Sequence, residues 1–319
     1  MAQVAAWWRL ATEGLAVQAA GRVATEVAER VTTPIRRLYV QMDGTMVRWR
    51  GTLGKGSDDW REVKVGAVFV AEAGPRASQL AKRVGEIAAT LGQMVTPWVD
   101  RPQGALTDVV GRLVAAEFGV RVSGEAVRRG LERAQKVVML GDGAHGIWEL
   151  AAEHFPGAVP MLDVWRAGQW VWKVAHAVWG EGGAKAQRWA ETVIVAHLIR
   201  GDAVGLVGAI VALPPVPPPP GEKRSIPEQA TEYFRRNAER MRYLEYWARG
   251  LEVGGGAGAS AGKRVVGKRC KGPGMRWSEE GLDAVLHLRM HVLNDRYDAA
   301  LAALPTVASL PTSMSSARR

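Results

Sequence analysis

Val137-Val138-Met139-Leu140 is an unbroken apolar run closed by Gly141-Asp142-Gly143, and it constrains the fold more than any other segment. A run so short and continuous reads as a strand buried on both faces, the habit of parallel sheets covered by helices. Helical patterning lies on either side of it. Residues 106–134 precede it, with a break near 119–124, and residues 147–155 follow until Pro156 stops them. Residues 159–162 form a second short strand, followed by Asp163. Upstream, residues 38–42 read as a strand ending at Asp43-Gly44, and residues 47–50 as another. In residues 60–70, Val63, Val65, Ala67 and Phe69 alternate with polar or small neighbours, which gives a third strand. Helical spacing over 77–91 completes the order β-β-β-α-β-α-β. That order predicts an α/β fold with a mixed sheet, three antiparallel strands and then parallel ones.

The rest of the chain sets the domain organisation. Residues 1–33 have helical spacing up to Pro34, and 1–36 read as a short N-terminal helical segment. Residues 37–166 carry the sheet. Residues 167–213 are helical and rich in Trp, and Pro214–Gly221 (PPVPPPPG) is a stiff polyproline linker. Residues 227–250 predict one amphipathic helix dense in Arg and aromatics, so 167–250 reads as a helical unit containing the linker. Residues 252–262 are almost entirely Gly, Ala and Ser. Residues 263–276 are basic and punctuated by glycine, and a last helix is expected over 279–293. Residues 251–298 therefore form a basic C-terminal part, and 299–319 a disordered tail.

Composition narrows the class of partner. The 319 residues suffice for one large domain or two ordinary ones. Lys and Arg number 42 against 32 Asp and Glu, a formal charge of +10 that favours a polyanionic partner. Cys270 is the single cysteine, so no internal disulfide is available and no oxidising compartment is implied. Arg9 and Glu13 break the apolar N-terminal run, which is therefore no signal peptide. The most apolar stretch, 193–213, is interrupted by His197, Arg200 and Asp202, whereas a bilayer core needs about 20 apolar residues in a row. A cytoplasmic protein without membrane contact is expected.

Two aspartates share one situation. Asp43 and Asp142 each stand just past the carboxyl end of an expected buried strand and precede a glycine. Ligand sites in open α/β sheets gather at the carboxyl ends of strands, so the two could converge on one hard cation such as Mg²⁺. Asp-Gly is equally a turn dipeptide. His287 and His291 lie four apart on an expected helix, but Leu288 stands where a metalloprotease carries Glu, so they read as ordinary core or surface histidines. Most tryptophans at helical spacing read as core.

The segments LYVQMDGTMV, WREVKVGAVF, VVMLGDGAHGIWELAAEHFPGA, YFRRNAERMRYLEYWARGL, KRVVGKR and GPGMRWSEEGLDAVLHLR follow one another between Leu38 and Tyr297. Through them the chain resembles the DDE transposases of bacterial insertion sequences, specifically the Kra-type group related to Mutator-type transposases. The resemblance implies an RNase H-like catalytic core with a helical insertion, which residues 167–250 fit. It implies that Asp43 and Asp142 are the first and second catalytic acids. They would hold two Mg²⁺ ions for hydrolysis at the element's ends and attack of a 3′-hydroxyl on target DNA.

The third ligand of the family is a Glu in a motif that runs roughly G-S-G-x-V-E-S-A. This chain reads Gly254-Gly255-Gly256-Ala257-Gly258-Ala259-Ser260-Ala261, which puts Ala259 at the Glu position. Alanine offers no oxygen, and the glycines weaken the helix that should carry the ligand by about 1 kcal/mol each. Glu252 lies seven positions earlier and precedes the glycine run. A second departure is at Leu162-Asp163-Val164-Trp165-Arg166, where the group reads roughly L-D-F-Y-H. Asp163 keeps the first element of that motif, and Arg166 replaces its His. A permanent cation that can only donate stands there, and it could contact a phosphate. With 42 residues before Asp43, the N-terminal region is shorter than in relatives and reads as a truncated DNA-recognition region.

The implied partners are DNA, both element ends and target, and further copies of the chain as a homodimer or higher oligomer in the nucleoid. DNA contacts are expected from Arg166, from Arg235, Arg236 and Arg240, and from Lys263, Arg264, Lys268, Arg269, Lys271 and Arg276. The expected function is a transposase whose cleavage and strand transfer are impaired. The alternative is a non-catalytic DNA-binding protein, a relic or domesticated copy.

Overall fold

The structure, a computed structural model, describes residues 37–50, 59–70, 86, 91, 107–254, 263–294 and 296–302. It is an α/β fold whose mixed four-stranded sheet has the order β2-β1-β3-β4. The strands are β1 (Leu38–Trp49), β2 (Asp59–Val70), β3 (Val137–Gly141) and β4 (Val159–Leu162). β1, β3 and β4 run parallel, and β2 is antiparallel beside β1.

The expected three-stranded meander is corrected to two strands, because 38–42 and 47–50 are not separate. β1 is one strand of 12 residues that passes through Asp43-Gly44 without turning. A two-residue Asp-Gly hairpin turn needs positive φ, and Gly44 does not adopt it. The Glu62 side chain of β2 lies over Gly44, where a Cβ would be 2.8 Å from its Cδ.

The described residues divide into two compact units. The first draws on Thr33–Asp43 and Gly66–Ala259. Its helices are α1 (Thr107–Arg128), α2 (His145–His154), α3 (Val164–Trp179), α4 (Ala184–Val193), α5 (Ala203–Val211), α6 (Ile226–Asn237) and α7 (Tyr243–Ala248). Leu38, Tyr39, Val40, Met139, Leu140, Met161 and Leu162 of the sheet are fully buried, so the parallel strands are indeed apolar on both faces. Against them pack Ile147, Trp148 and Leu150 of α2, Val164, Ala167, Val171 and Val174 of α3, and Phe234 of α6.

Two helical expectations need correction in this unit. The break near 119–124 is absent, and α1 is continuous through both glycines. Gly119 is a site of close approach: a Cβ there would lie 2.9 Å from Leu150 Cδ2 on α2. Residues 227–250 are not one helix. α6 ends at Asn237, a 3₁₀ turn covers Ala238–Arg240, and α7 follows. Asn237 ends the helix because its amide donates to the Tyr233 carbonyl at 2.9 Å, four residues back, in competition with the main chain. The start of α6 is a capping box between Ser225 and Glu228.

The second unit draws on Gly44–Val65 and Ser260–Arg319. Its small core joins Val47 and Val65 to Val265, Val266, Cys270 and Leu282. Leu282 lies on α8 (Glu279–Leu293), capped by Ser278 and matching the expected 279–293. The N–H of Trp277 donates to the Arg48 carbonyl at 3.0 Å, and the N–H of Arg50 donates to the Trp277 carbonyl at 2.8 Å. The last described residues form α9 (Tyr297–Ala302), so the expected tail begins as helix. The expected segments 1–36 and 303–319, and all of 77–91 except helical Glu86 and Leu91, lie outside the described residues. Among the described residues no helix is long and apolar enough to cross a membrane.

Candidate functional site: an acidic row at the strand ends

Strand register builds the site. β1 pairs with β3 so that Met42 faces Gly141, and β3 pairs with β4 so that Gly141 faces Leu162. One step further along each strand stand Asp43, Asp142 and Asp163. Parallel neighbours lie about 4.8 Å apart, so the three acids stand at corresponding steps of three adjacent strands, a row in sequence register across the sheet. β3 and β4 end at this level, where open α/β sheets collect ligand sites. β1 does not end there, so Asp43 projects from mid-strand.

Each acid is fixed differently. Asp163 is buried and caps α3, its carboxylate accepting from the Trp165 N–H at 2.8 Å. Its other oxygen accepts from the buried Gln41 amide at 3.2 Å. Asp142 begins the turn into α2, with one oxygen accepting from the Ala144 N–H at 2.9 Å. Asp43 accepts from Arg166 on both oxygens, at 2.6 and 2.5 Å. Arg166 sits in the first turn of α3, three residues after the cap, and its second guanidinium nitrogen donates to Gln169 at 3.2 Å. Only 15% of the Asp43 side chain and 32% of the Arg166 side chain reach solvent, so the pair is weakly screened. Burial pulls the Arg166 pKa down. The charge and hydrogen bonds of Asp43, with the fields of Asp142 and Asp163, together outweigh this, and the net shift is upward.

A helix from outside the sheet supports the Asp142 turn. The Tyr233 hydroxyl on α6 donates to the Asp142 main-chain carbonyl at 2.7 Å. Asn237, one turn on, accepts from the Trp148 indole at 3.0 Å and is buried. Between Asp142 and this helix, Gly143 adopts φ +94°. Burial pushes the Tyr233 hydroxyl pKa well up, and the Asp142 and Asp163 carboxylates add to that rise.

The structure therefore brings Asp43, Asp142, Asp163 and Arg166 together. Ala259 lies outside the described residues, as do the side chains of Lys263 and Arg264. The backbone N–H of Glu252 donates to the Tyr39 hydroxyl at 2.9 Å, and Tyr39 lies four residues before Asp43 in β1. Arg235 and Arg236 are exposed on α6. Arg240 is turned onto protein, 4.6 Å over the Trp148 ring, and donates to the Arg236 carbonyl at 2.9 Å. In the other unit Lys268, Arg269, Lys271 and Arg276 are exposed, and the Lys271 ammonium donates to Thr45 at 2.5 Å. His287 and His291 fall on α8.

Sequence reasoning missed Gln41, Tyr233 and Asn237. Gln41 carries a signal, being the one polar residue in the expected strand 38–42. Tyr233 and Asn237 show only helical spacing.

As arranged, the donor set does not fit Mg²⁺ at Asp43. The ion needs oxygen ligands at about 2.0–2.1 Å, and both Asp43 oxygens already accept from a guanidinium. A divalent ion on that carboxylate would have to displace Arg166. Among the described residues no group of three or more His, Cys, Asp or Glu side chains is placed to hold a metal ion. No family model, curated protein or solved structure matches the chain.

Proposed function

We propose that the chain descends from RNase H-like DDE transposases of bacterial insertion sequences and acts on DNA as a binding protein in which cleavage and strand transfer are impaired. The observation that carries this reading is the level placement of Asp43 and Asp142 at neighbouring strands of a mixed α/β sheet. Two features weigh toward the non-catalytic form of the reading. Ala259 brings no oxygen to the third acidic position, and Arg166 takes both oxygens of Asp43.

Retained DNA affinity is supported by basic residues in each unit. In the second unit the main-chain hydrogen bonds between Trp277 and Arg48 and Arg50 set Arg276 beside the end of β1. Arg48, Arg50 and Arg276 are all exposed there. Arg48 also lies 5.3 Å from the ring of exposed Trp60, which leaves an aromatic face beside the charges. Such a basic strand end with interleaved aromatics suits a phosphate backbone. Arg235 and Arg236 on α6 are the counterpart in the first unit. Arg166 is not counted among the DNA contacts, because its guanidinium is turned inward onto Asp43.

The test is fluorescence anisotropy with duplex DNA across a salt series, run beside cleavage and strand-transfer assays in Mg²⁺. Binding should weaken steeply with salt. Replacing Arg48, Arg50 and Arg276 together by Ala should flatten the log–log slope by roughly 2–3. Salt-insensitive binding or none would overturn the DNA reading. Mg²⁺-dependent cleavage abolished by Asp142→Ala would overturn the impairment.

A further inference from the structure

We propose that the Arg166 guanidinium is the resident cation of the acidic row, so that the chain holds Asp43, Asp142 and Asp163 together with no divalent ion and takes up none at Asp43. The inference concerns the same site but rests on the acid row alone, and it stands whether or not the chain binds DNA.

The geometry points there in three steps. Register puts three acids one step past the paired positions of three adjacent strands, and like charges brought near one another disfavour the ionised form unless a cation stands with them. The Arg166 side chain bonded to Asp43 arises from the same structure that fixes the third acid. Asp163 caps α3, and the cap sets the direction of the first helical turn, which carries Arg166 back over the sheet to Asp43. One guanidinium nitrogen then donates to both Asp43 oxygens, and the other terminal nitrogen is held by Gln169, so the charge is fixed in place over the carboxylate.

A mobile ion exchanges with solvent and depends on its concentration. A guanidinium tethered to α3 does neither, so the row is neutralised in part by the covalent chain.

Three proteins without DNA decide the matter, read by thermal unfolding in EDTA and in millimolar Mn²⁺, and by the EPR signal of free Mn²⁺. Wild type should show the same Tm in both buffers and leave the Mn²⁺ signal undiminished at Asp43. Arg166→Met keeps the length of the side chain without its charge. It should melt lower in EDTA, regain part of the loss in Mn²⁺, and bind Mn²⁺ at least about tenfold more tightly than wild type. Adding Asp43→Asn to Arg166→Met should abolish the Mn²⁺ effect and raise Tm in EDTA, because one of the repelling charges is gone.

Wild type binding Mn²⁺ in a manner lost with Asp43→Asn would overturn the proposal. So would an Arg166→Met protein as stable as wild type in EDTA, or one that is destabilised but gains no Mn²⁺ affinity. If Arg166→Met does not fold, the wild-type measurement still decides whether the site excludes the ion. Arg166→Lys then provides the second variant, since it keeps a charge but loses the second nitrogen that is bonded to Gln169, and it should melt below wild type with no Mn²⁺ response. None of these readouts depends on nucleic acid, so their failure is distinct from failure of the DNA reading.

Discussion

Gly143→Ala tests how tightly the Asp142 turn is locked by α6. Two costs add at this position. The backbone has φ +94°, where an L-residue costs about 1–2 kcal/mol relative to glycine. A Cβ would also lie 2.5 Å from Tyr233 Cε2 and 2.9 Å from Cζ and Oη, far inside contact distance. The tyrosine has little room to yield. Its hydroxyl donates to the Asp142 carbonyl at 2.7 Å, and its ring lies 5.1 Å from Trp170 and 5.3 Å from Phe234. Overpacking of that kind costs about 1–3 kcal/mol, so the substitution should destabilise by roughly 2–5 kcal/mol. Urea unfolding followed by circular dichroism measures the loss, provided the m-value is unchanged. Tyr233→Leu removes the ring atoms that the new methyl would meet. In that background Gly143→Ala should cost only the backbone part, about 1–2 kcal/mol, which leaves a coupling of about 1–3 kcal/mol in the double-mutant cycle. Equal costs in the two backgrounds, within about 0.5 kcal/mol, would refute the claim that Tyr233 is what the turn packs against.

Two further outcomes follow from neighbouring groups. Asn237→Leu strands the buried Trp148 indole N–H, which otherwise donates to Asn237 at 3.0 Å, and should cost about 1–3 kcal/mol in urea unfolding; adding Trp148→Phe should recover part of that loss, because the orphaned donor is removed with its partner. At alkaline pH the protein should lose stability from about pH 10 upward. Burial raises Tyr233 and Tyr243 well above 10 in the folded state, so the unfolded chain releases those protons first and is drawn down, while below pH 10 both states hold them. Unfolding free energies from urea titrations at pH 8 to 11 should fall with a slope that becomes shallower in Tyr233→Phe, by up to about 1.4 kcal/mol per pH unit, and an unchanged slope would count against burial as the cause.

What could be read from the sequence, and what could not, divides by the range of the interaction responsible. β3 was legible because burial on both faces leaves no polar alternation in Val137–Leu140, a property of four adjacent residues. Asp43 and Asp142 were legible as strand-end acids for the same local reason, although Asp43 lies within its strand. The Asp43-Gly44 turn was misread because the dipeptide favours a turn only where nothing else fixes the backbone. Pairing with β2 fixes it here. Gly119 and Gly124 misled in the same way, since a glycine inside α1 marks close packing on α2 at position 119, not a break.

The interactions that give the site its character have no local trace at all. Tyr233 meets Asp142 across 91 positions of sequence, and Arg166 meets Asp43 across 123. Arg166 was visible as an unusual residue, and its charge suggested an outward phosphate contact. Only the cap at Asp163 and the parallel register of β1, β3 and β4 turn that charge inward. The consequence is chemical. A row of acids facing a mobile ion can exchange that ion and lend it to a reaction, whereas a row bonded to a tethered guanidinium has its cation as part of the fold. The residue three positions after Asp163 therefore governs what the row can do as much as the acids themselves.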